Sequence, residues 1–232
     1  MERQAALKLC ARLNKLFVAV ISDALDEYQQ GPRINKFLFS SAIRPILPEM
    51  RFAGIASTFK SVASTKIERP LPLEDLKKEP WIRAIETVRT GDVVVYSTSG
   101  CTNAASIGEL MCTAIAARGG VGAVTDGCIR DANRILWIKP FFPVFASGYT
   151  AADSSGRMEL IEYGLPIWCG GVHVRPGDFV LADLDGVIVI PRELAEEVTT
   201  KSEERSDKES KMREDLKKGE SFAAAQHRYN VG

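Results

Sequence analysis

Two short apolar runs, separated by a helix-forming segment, constrain this chain more than any other part of its sequence. The runs VVVYS (93–97) and VGAVT (121–125) have the unbroken apolar character of strands that are buried on both faces. Between them, ELMCTAIAAR (109–118) is rich in Ala, Leu and Met, and Gly119-Gly120 provides a helix C-cap. This order predicts a parallel βαβ unit with a right-handed crossover.

The segments before this unit combine helices with short extended pieces. Residues 3–28 place apolar side chains at helical spacing, and Ser22 and Asp23 have side chains suited to capping a second short helix. Residues 43–59 read as short extended pieces interrupted by prolines and a glycine. Residues 64–82 contain three prolines and mixed charges without a sustained period, which predicts a long surface excursion.

The segments after the unit are first β-rich and then helical. The runs at 141–147 and 172–191 read as strands punctuated by Pro-Gly-Asp and Asp-Gly turns. From 192 to 218 the chain is almost entirely helix-forming and charged, as expected of a helix that is solvated or packed on a neighbouring subunit. We therefore predict one α/β domain over residues 1–191, including the N-terminal helices, and a charged C-terminal helix and tail over 192–232.

Composition narrows the class of ligand. The 232 residues include 30 basic and 30 acidic side chains with no dense basic cluster, so neither nucleic acid nor a membrane surface is an expected partner. The five cysteines are odd in number and contain no CxxC pair, which favours a reducing cytoplasm over a disulfide framework. The N-terminal segment reads as a helix rather than a targeting signal. The expected ligand is a small molecule.

The βαβ unit predicts where a site would lie. In an open α/β sheet, ligands bind at the carboxyl ends of the parallel strands. Glu109 opens the helix after the first strand, while Arg130 and Asp131 lie just beyond the second. The first-turn amides near Leu110 and Met111 would point to the same edge as anion-binding donors.

Each of these side chains also has a purely structural interpretation. Glu109 could offset the helix dipole, Asp131 could cap a following short helix, and Arg130 could be a surface cation. Taken singly, these interpretations are at least as good as the functional ones. The predicted convergence of all three residues in one crevice favours a site.

A 2-oxo acid would suit this set of residues. Arg130 can hold the substrate carboxylate through its planar fork, and a divalent cation on Asp131 can accept the oxo oxygen. Mg²⁺ or Mn²⁺ would stabilise the enolate that forms when the bond at C3 breaks, and one protein carboxylate plus waters is an ordinary way to hold Mg²⁺. Glu109 would position or deprotonate a water that relays the proton.

The segment GELMCTAIAARGGVGAVTDGCIRD (108–131) resembles the RraA-like family, which includes the 4-hydroxy-4-methyl-2-oxoglutarate / 4-carboxy-4-hydroxy-2-oxoadipate aldolases. Glu109, twenty intervening residues and then Arg130-Asp131 match the family's spacing of an acidic residue and an Arg-Asp pair. Further matching segments occur in the same order along the chain: SDAL (22–25), GIASTF (54–59), TGDVVV (90–95) and VRPGDFVLADLDGVIVIP (174–191). The resemblance therefore spans most of the chain.

The resemblance implies an α/β domain of the swivelling β/β/α type, assembled as a homotrimer or homohexamer with sites between subunits. In similar aldolases a glutamate from the neighbour's C-terminal helix approaches the metal through water. Glu209 is the best candidate for that residue here, with Glu203 and Glu204 as alternatives. The excursion at 64–82 is longer than the compact family pattern and would reshape the substrate pocket or the subunit contacts.

The resemblance also implies roles within the site. Asp131 would ligate the metal directly, Arg130 would bind the pyruvyl portion of the substrate, and Glu109 would organise water. The substrate carboxylate would be held at the start of the helix, by Gly108, Leu110 and Met111.

Three functions are compatible with these residues and this resemblance. The first is a metal-dependent lyase that cleaves a 4-hydroxy-2-oxo (di)carboxylic acid to pyruvate and a second carbonyl compound, with oxaloacetate decarboxylase activity. The second is a non-catalytic regulatory protein that inhibits a ribonuclease; such family members lack the aspartate after the arginine, whereas Asp131 is present here. The third is a lyase or hydratase that acts on a sugar-derived acid with the same centre.

Overall fold

The computed structural model of the protein describes residues 1–28 and 36–231. Eight helices occur in this part of the chain: α1 Arg3–Leu13, α2 Val18–Asp26, α3 Leu73–Leu76, α4 Pro80–Thr87, α5 Glu109–Ala117, α6 Ala132–Ile135, α7 Ala195–Lys217 and α8 Phe222–Tyr229. Thirteen strands accompany them: β1 Arg44–Pro45, β2 Phe52–Ala63, β3 Asp92–Ser97, β4 Ala105–Ile107, β5 Gly122–Thr125, β6 Cys128–Ile129, β7 Val144–Ala146, β8 Gly148–Tyr149, β9 Met158–Tyr163, β10 Ile167–Cys169, β11 Val172–Val174, β12 Phe179–Asp183 and β13 Gly186–Ile190.

The main sheet has a parallel centre and antiparallel margins. Its order is β1-β7-β5-β3-β2-β12-β13, and β9 also pairs with the far half of β2. The neighbours β2, β3, β5 and β7 run parallel. Every residue of β3 is buried, which explains its unbroken run of valines. The predicted βαβ unit is therefore present as β3, α5 and β5.

A second, three-stranded parallel sheet is formed by β4, β6 and β8, which follow β3, β5 and β7 along the chain. Strand β4 follows β3 and leads into α5, while β6 follows β5. These two short strands pair with each other, and β8 pairs with β6. The predicted βαβ unit did not include these short strands. The chain therefore forms a second sheet before it reaches Gly108 and Arg130.

The N-terminal helices and the start of α7 pack together on one face of the main sheet. Leu9, Leu13 and Ile21 share a buried cluster there with Phe179 and Val198. The first part of α7 thus contacts the chain's own α1 and α2. Contact with a neighbouring subunit remains a prediction for this helix, and so does the proposed boundary between 191 and 192.

Two predictions about local structure had different outcomes. The excursion at 64–82 is largely exposed, as predicted. Its regular structure before α4 begins at Pro80 is limited to the single-turn helix α3. Ser22 and Asp23 lie inside α2, which begins at Val18, so the predicted cap is wrong. In the described part of the chain, no helix has the length and apolar character that crossing a membrane requires.

Candidate active site

The parallel pairing of β4 with β6 brings the site residues together. Strand β4 ends at Ile107, directly before Gly108, and β6 ends at Ile129, directly before Arg130. The Arg130 amide donates to the Ile107 carbonyl at 3.0 Å, so the two strand ends are joined at this point. The carboxyl ends of adjacent parallel strands meet at one edge, and here that edge carries the start of α5 and the Arg130-Asp131 pair.

Gly108 lies directly against this pair. A Cβ atom on Gly108 would be 3.0 Å from Asp131 Oδ2, 3.2 Å from Arg130 Nε and 3.3 Å from Arg130 Cγ. Its φ of −125° is open to any residue, so the requirement for glycine here is one of space rather than of backbone conformation. The absence of a side chain lets the guanidinium and the carboxylate approach the helix start.

Asp131 has an unusual backbone conformation. Its φ of 57° and ψ of 28° place it in the left-handed region, which aspartate and asparagine adopt more readily than other residues with a side chain. Although it holds the N-cap position of α6, its side chain makes no capping hydrogen bond. The carboxylate is instead about 43% exposed and faces the Arg130 guanidinium, with Oδ2 3.6 Å from Nε. The Asp131 side chain therefore does not cap α6.

The start of α5 offers backbone donors to this edge. Its N-cap is Gly108, which has no side chain to accept a hydrogen bond from the first-turn amides. The Cys112 amide donates to the Gly108 carbonyl, as the first bond of the helix. Leu110 and Met111 line the same cleft as Arg130 and Asp131. Their amides, at the positive end of the helix dipole, suit an anionic group.

Arg130 has a second carboxylate partner that the sequence analysis missed. Its Nη1 lies 3.1 Å from Asp153 Oδ1. Asp153 lies in the loop after β8, the third strand of the small sheet, so all three strands of that sheet are followed by a residue of the site. The same reasoning about strand ends would have found Asp153 if β8 had been recognised.

These residues line a cleft of about 260 Å³, which is suited to a small ligand. Hydroxyl groups line part of it, including those of Ser61, Tyr96 and Ser106. The Tyr96 hydroxyl and Ser61 Oγ are 2.7 Å apart, and burial raises the pKa of Tyr96 to about 12. Tyr96 therefore stays neutral at physiological pH and acts as a hydrogen-bonding group.

The excursion predicted at 64–82 forms a wall of the cleft. Its contribution consists of Lys66, Glu68, Glu79, Pro80 and Trp81. The excursion is fixed to the loop that carries Asp153, because the Gly156 amide donates to the Lys66 carbonyl at 2.8 Å and the Glu68 amide donates to Ser155 Oγ at 2.9 Å.

Glu109 is placed apart from the other predicted side chains. It lies in an adjoining groove that includes Arg134, Trp137 and Lys139, and its Oε1 accepts a hydrogen bond of 2.7 Å from Thr113. It is still near the site, because its charge and that of Asp131 add to the burial that raises the pKa of the Cys112 thiol. Its role as a water-organising base remains a prediction.

The C-terminal glutamates lie on α7, which packs on α1 and α2. Glu209 Oε1 is 3.4 Å from Arg205 Nε on the same helix, and Glu203 forms an ion pair with Arg12. Glu204 is exposed. A role for any of them at a neighbour's site remains a prediction.

The donor set decides which kind of metal site this edge can provide. Among residues 1–28 and 36–231, no group of three or more His, Cys, Asp or Glu side chains is arranged to hold a metal ion. A zinc or iron site built from several protein ligands is therefore not formed by the described part of one chain. A half-exposed carboxylate such as that of Asp131 fits the other type of site, in which a hard cation keeps several waters.

Comparison with known proteins identifies the family of the chain. The profile of the RraA-like family, described as Aldolase/RraA, matches residues 18–189, which is most of the chain. The fold is thus the mixed α/β type that this family shares, with a helical C-terminal extension. The protein belongs to the RraA-like family.

Individual relatives are similar over nearly the full length. A protein of Halalkalibacterium halodurans, named "Putative 4-hydroxy-4-methyl-2-oxoglutarate aldolase", is 28% identical over 211 residues, which is 90% of each chain. The structure of an uncharacterized protein from Pseudomonas syringae aligns with a TM-score of 0.80 at 25% identity, covering 97% of this chain and 95% of that one. Streptomyces coelicolor RraAS2, described as an unusual member of the RNase ES inhibitor RraA family, aligns with a TM-score of 0.75 at 26% identity, covering 89% and 96%.

Proposed function

We propose that the protein is a divalent-metal-dependent lyase that cleaves a 4-hydroxy-2-oxo acid to pyruvate and a second carbonyl compound, and that it also decarboxylates oxaloacetate. The observation that carries this proposal is the meeting of Arg130, Asp131 and the first-turn amides of α5 in one cleft. A relative named as an aldolase supports the same reaction class.

The residues of the cleft define how the substrate would bind. Arg130 and the amides of Leu110 and Met111 would hold the substrate carboxylate through charge-assisted hydrogen bonds. Asp131, with waters, would hold Mg²⁺ or Mn²⁺. The bound cation supplies Lewis-acid stabilisation for negative charge on the oxo oxygen.

Proton transfer completes the reaction. A water positioned by Glu109 takes the proton of the 4-hydroxyl group, the C3–C4 bond breaks, and its electron pair passes into the C2–C3 enolate. The aldehyde or ketone leaves from C4. The same water returns the proton to C3, which gives pyruvate and leaves the protein unchanged.

A pyruvate-release assay tests this proposal. We expect turnover of 4-hydroxy-2-oxo acids and oxaloacetate in the presence of Mg²⁺ or Mn²⁺, and loss of turnover with EDTA. Asp131→Ala and Arg130→Ala should each abolish turnover, whereas Asp75→Ala, on the exposed helix α3, should retain it. Full activity in either site variant would refute the assignment of the site.

The assembly is part of the proposal. We expect a homotrimer or homohexamer in which Glu209 of a neighbouring α7 approaches the metal through water. Light scattering coupled to size exclusion measures the mass, and Glu209→Gln should lower kcat without changing that mass. A fully active monomer would contradict this arrangement.

The second candidate is a non-catalytic regulator of a ribonuclease. Its support is the similarity to Streptomyces coelicolor RraAS2. A protein of this kind would turn over no 2-oxo acid with any divalent metal and would lower the activity of a purified ribonuclease complex. A lyase or hydratase of sugar-derived acids, the third candidate, is separated from the first by the substrate screen.

A further inference from the structure

The buried part of the cleft lining contains three hydroxyl groups among apolar side chains. Six of the residues that line the cleft are buried, and we call this set the cleft floor: Ser61, Tyr96, Ala105, Ser106, Met158 and Leu160. Polar groups that are withdrawn from water to this degree almost always have hydrogen-bond partners. Each hydroxyl hydrogen on the cleft floor therefore needs an acceptor.

The Ser106 hydroxyl finds its partners within the chain. Ser106 Oγ donates to the Cys128 carbonyl at 3.2 Å and lies 3.0 Å from Thr125 Oγ1. Because the Ser106 hydrogen is used by Cys128, the hydrogen in the second contact comes from Thr125. Thr125 Oγ1 in turn accepts a hydrogen bond of 3.1 Å from the Gly127 amide. This network leaves no hydroxyl hydrogen for a ligand.

The hydroxyls of Tyr96 and Ser61 are different in this respect. Their oxygens are 2.7 Å apart, and within the described part of the chain neither hydroxyl makes another hydrogen bond. Two hydroxyl groups bring two hydrogens, and a single contact between them uses only one. One hydrogen of the pair therefore has no acceptor among the described residues, although both side chains are at least nine-tenths buried.

The surroundings of Tyr96 favour its phenol as the group that presents this hydrogen. Its ring packs edge-on against Phe59, with ring centroids 5.8 Å apart, which fixes the direction of the hydroxyl. Burial raises the pKa of Tyr96, a hydrogen bond from Ser61 lowers it, and the charge of Glu68 raises it further. The phenolic oxygen is therefore close enough to the cleft wall to be influenced by Glu68, which also lines the cleft. With Ser61 as the donor inside the pair, the phenolic hydrogen is free.

We infer that Tyr96 is a specificity-determining residue that donates a hydrogen bond to an oxygen atom on the C4 substituent of the substrate, with Ser61 holding the phenol in position. This inference rests on the proposed function, which assigns the substrate carboxylate to Arg130 and the start of α5 and the oxo oxygen to the cation. The 4-hydroxyl group is assigned to the water at Glu109. The oxygens that remain for the cleft floor are those of the C4 substituent, such as a second carboxylate.

A buried donor of this kind discriminates between ligands. In the free cleft a water molecule can accept the phenolic hydrogen, and a ligand oxygen can replace that water without loss of the hydrogen bond. A methyl group at the same place would displace the water and leave the donor unpaired, which is costly in a buried position. The cleft should therefore prefer 2-oxo acids whose C4 substituent carries an acceptor oxygen.

Calorimetric titration in the presence of Mg²⁺ tests this preference with three acids. The acids 2-oxoglutarate and 2-oxopentanoate share the pyruvyl part and differ in whether C5 is a carboxylate or a methyl group. Neither has the 4-hydroxyl group that cleavage requires, so both report binding alone. Pyruvate ends at C3 and therefore reports only on the part of the site at Arg130 and α5.

Tyr96→Phe is the informative variant, because it removes the hydroxyl and keeps the ring. We expect the native protein to bind 2-oxoglutarate about 20-fold more tightly than 2-oxopentanoate, and Tyr96→Phe to reduce that preference about tenfold. The Kd of pyruvate should change by less than about twofold, which also shows that the variant is folded. Ser61→Ala should reduce the preference only about threefold, since the phenolic hydrogen remains. Tyr149→Phe, which removes an exposed hydroxyl outside the cleft lining, should keep the native preference.

The outcomes separate this inference from the proposed function. An unchanged preference in Tyr96→Phe, or an equal loss of pyruvate binding, would mean that the pair is purely structural and would overturn the inference. A greater loss in Ser61→Ala than in Tyr96→Phe would overturn the assignment of the donor to Tyr96. If 4-hydroxy-2-oxo acids are cleaved but the native protein binds both five-carbon acids equally, the inference fails while the proposed function stands. If the expected preference is found and no acid is cleaved, the inference stands and the proposed function fails. Binding of none of the three acids would overturn both.

Discussion

Arg130 Nη1 lies 3.1 Å from Asp153 Oδ1, so the guanidinium proposed to bind a substrate carboxylate already has a carboxylate from its own chain. The same guanidinium also faces Asp131 through its Nε. A planar guanidinium can form charge-assisted hydrogen bonds along more than one edge. Asp153 therefore both orients Arg130 and competes with an incoming anion for it.

Replacing Asp153 tests this competition. In Asp153→Asn the charge is lost but the size is kept, so an anionic ligand should meet less opposition at Arg130. We expect pyruvate to bind about threefold to tenfold more tightly, in line with the strength of charge-assisted hydrogen bonds. Calorimetric titration measures the Kd. Asp75→Asn, on exposed α3, serves as a control and should bind pyruvate as the native protein does. Weaker binding in Asp153→Asn would mean that its orienting role dominates.

Gly108→Ala tests the spatial requirement at the helix start. The added methyl group would be 3.0 Å from Asp131 Oδ2 and 3.2 Å from Arg130 Nε, so one or both side chains must move away. We expect kcat/KM for pyruvate release to fall by at least about 100-fold, because small displacements at a reacting centre are costly. The melting temperature should change little, since the backbone conformation suits alanine.

Gly148→Ala is a fitting control for that experiment. It adds the same methyl group within the same small sheet, where the nearest atom is Cys128 Sγ at 3.4 Å. Activity close to native in Gly148→Ala together with a large loss in Gly108→Ala would support the close packing. Native activity in both variants would remove this argument for the site.

The cysteines should differ in their reactivity toward alkylating agents. Burial raises the pKa of Cys112 and Cys169, and it raises that of Cys10 to about 12. Because the thiolate is the reactive form, these thiols stay protonated and slow at pH 8. Cys101 is only partly buried and should be modified first. Peptide mass spectrometry after iodoacetamide treatment measures the order, and urea should make all sites reactive. Early modification of Cys112 would contradict the packing around α5.

Arg12 connects the two ends of the chain and should contribute to stability. Its Nη2 and Nε bond both carboxylate oxygens of Glu203 at 2.7 and 2.9 Å, and Nη2 also donates to Thr200 Oγ1. We expect Arg12→Met to lower the free energy of unfolding by about 1 kcal/mol, as partly exposed bidentate pairs do. Urea titration measures this change. Lys8→Met, at an exposed position of the same helix, should have a smaller effect.

The pH dependence of this pair follows from the direction of the shift. Arg12 lowers the pKa of Glu203 from its ordinary value of 4.5. A lowered pKa in the folded state means that the pair stabilises the protein above pH 4.5 and that the contribution is lost as the pH falls below it. The difference in unfolding free energy between native and Arg12→Met protein should therefore shrink in acid. A constant difference from pH 7 to pH 3 would contradict this account.

The central βαβ unit could be predicted because the residues that indicate each of its elements are contiguous in the sequence. The unbroken apolar run of β3 and the Ala, Leu and Met content of α5 can be recognised without knowledge of the rest of the chain. The pairing of β4 with β6 could not be predicted in the same way. These strands have three and two residues, too few for a period to be recognised.

The start of α2 shows why a local rule failed. Ser22 and Asp23 are good capping residues, but the helix begins earlier, at Val18. The Val18 amide donates to Asp183 Oδ2 at 2.9 Å, so the cap comes from the end of β12. A partner 165 positions away leaves no signal near the helix in the sequence.

The candidate site could be predicted only as far as strand ends are visible in the sequence. Arg130, Asp131 and the start of α5 follow recognisable elements and lie together. Asp153 and Glu68 lie in an irregular loop and in the excursion, where side-chain positions depend on long-range hydrogen bonds such as that between the Glu68 amide and Ser155. Glu109 is placed by the rotamer that its bond to Thr113 selects, which spacing along the chain does not specify.

The packing of α1 against α7 has a practical consequence for the design of truncated variants. Both helices lie outside the matched region 18–189, so trimming to the family boundaries would delete them together. Removing α7 alone would expose apolar surface of the cluster that contains Leu9 and Leu13, and it would remove the acidic partners of Arg12. A truncated variant should therefore keep both helices or lose both.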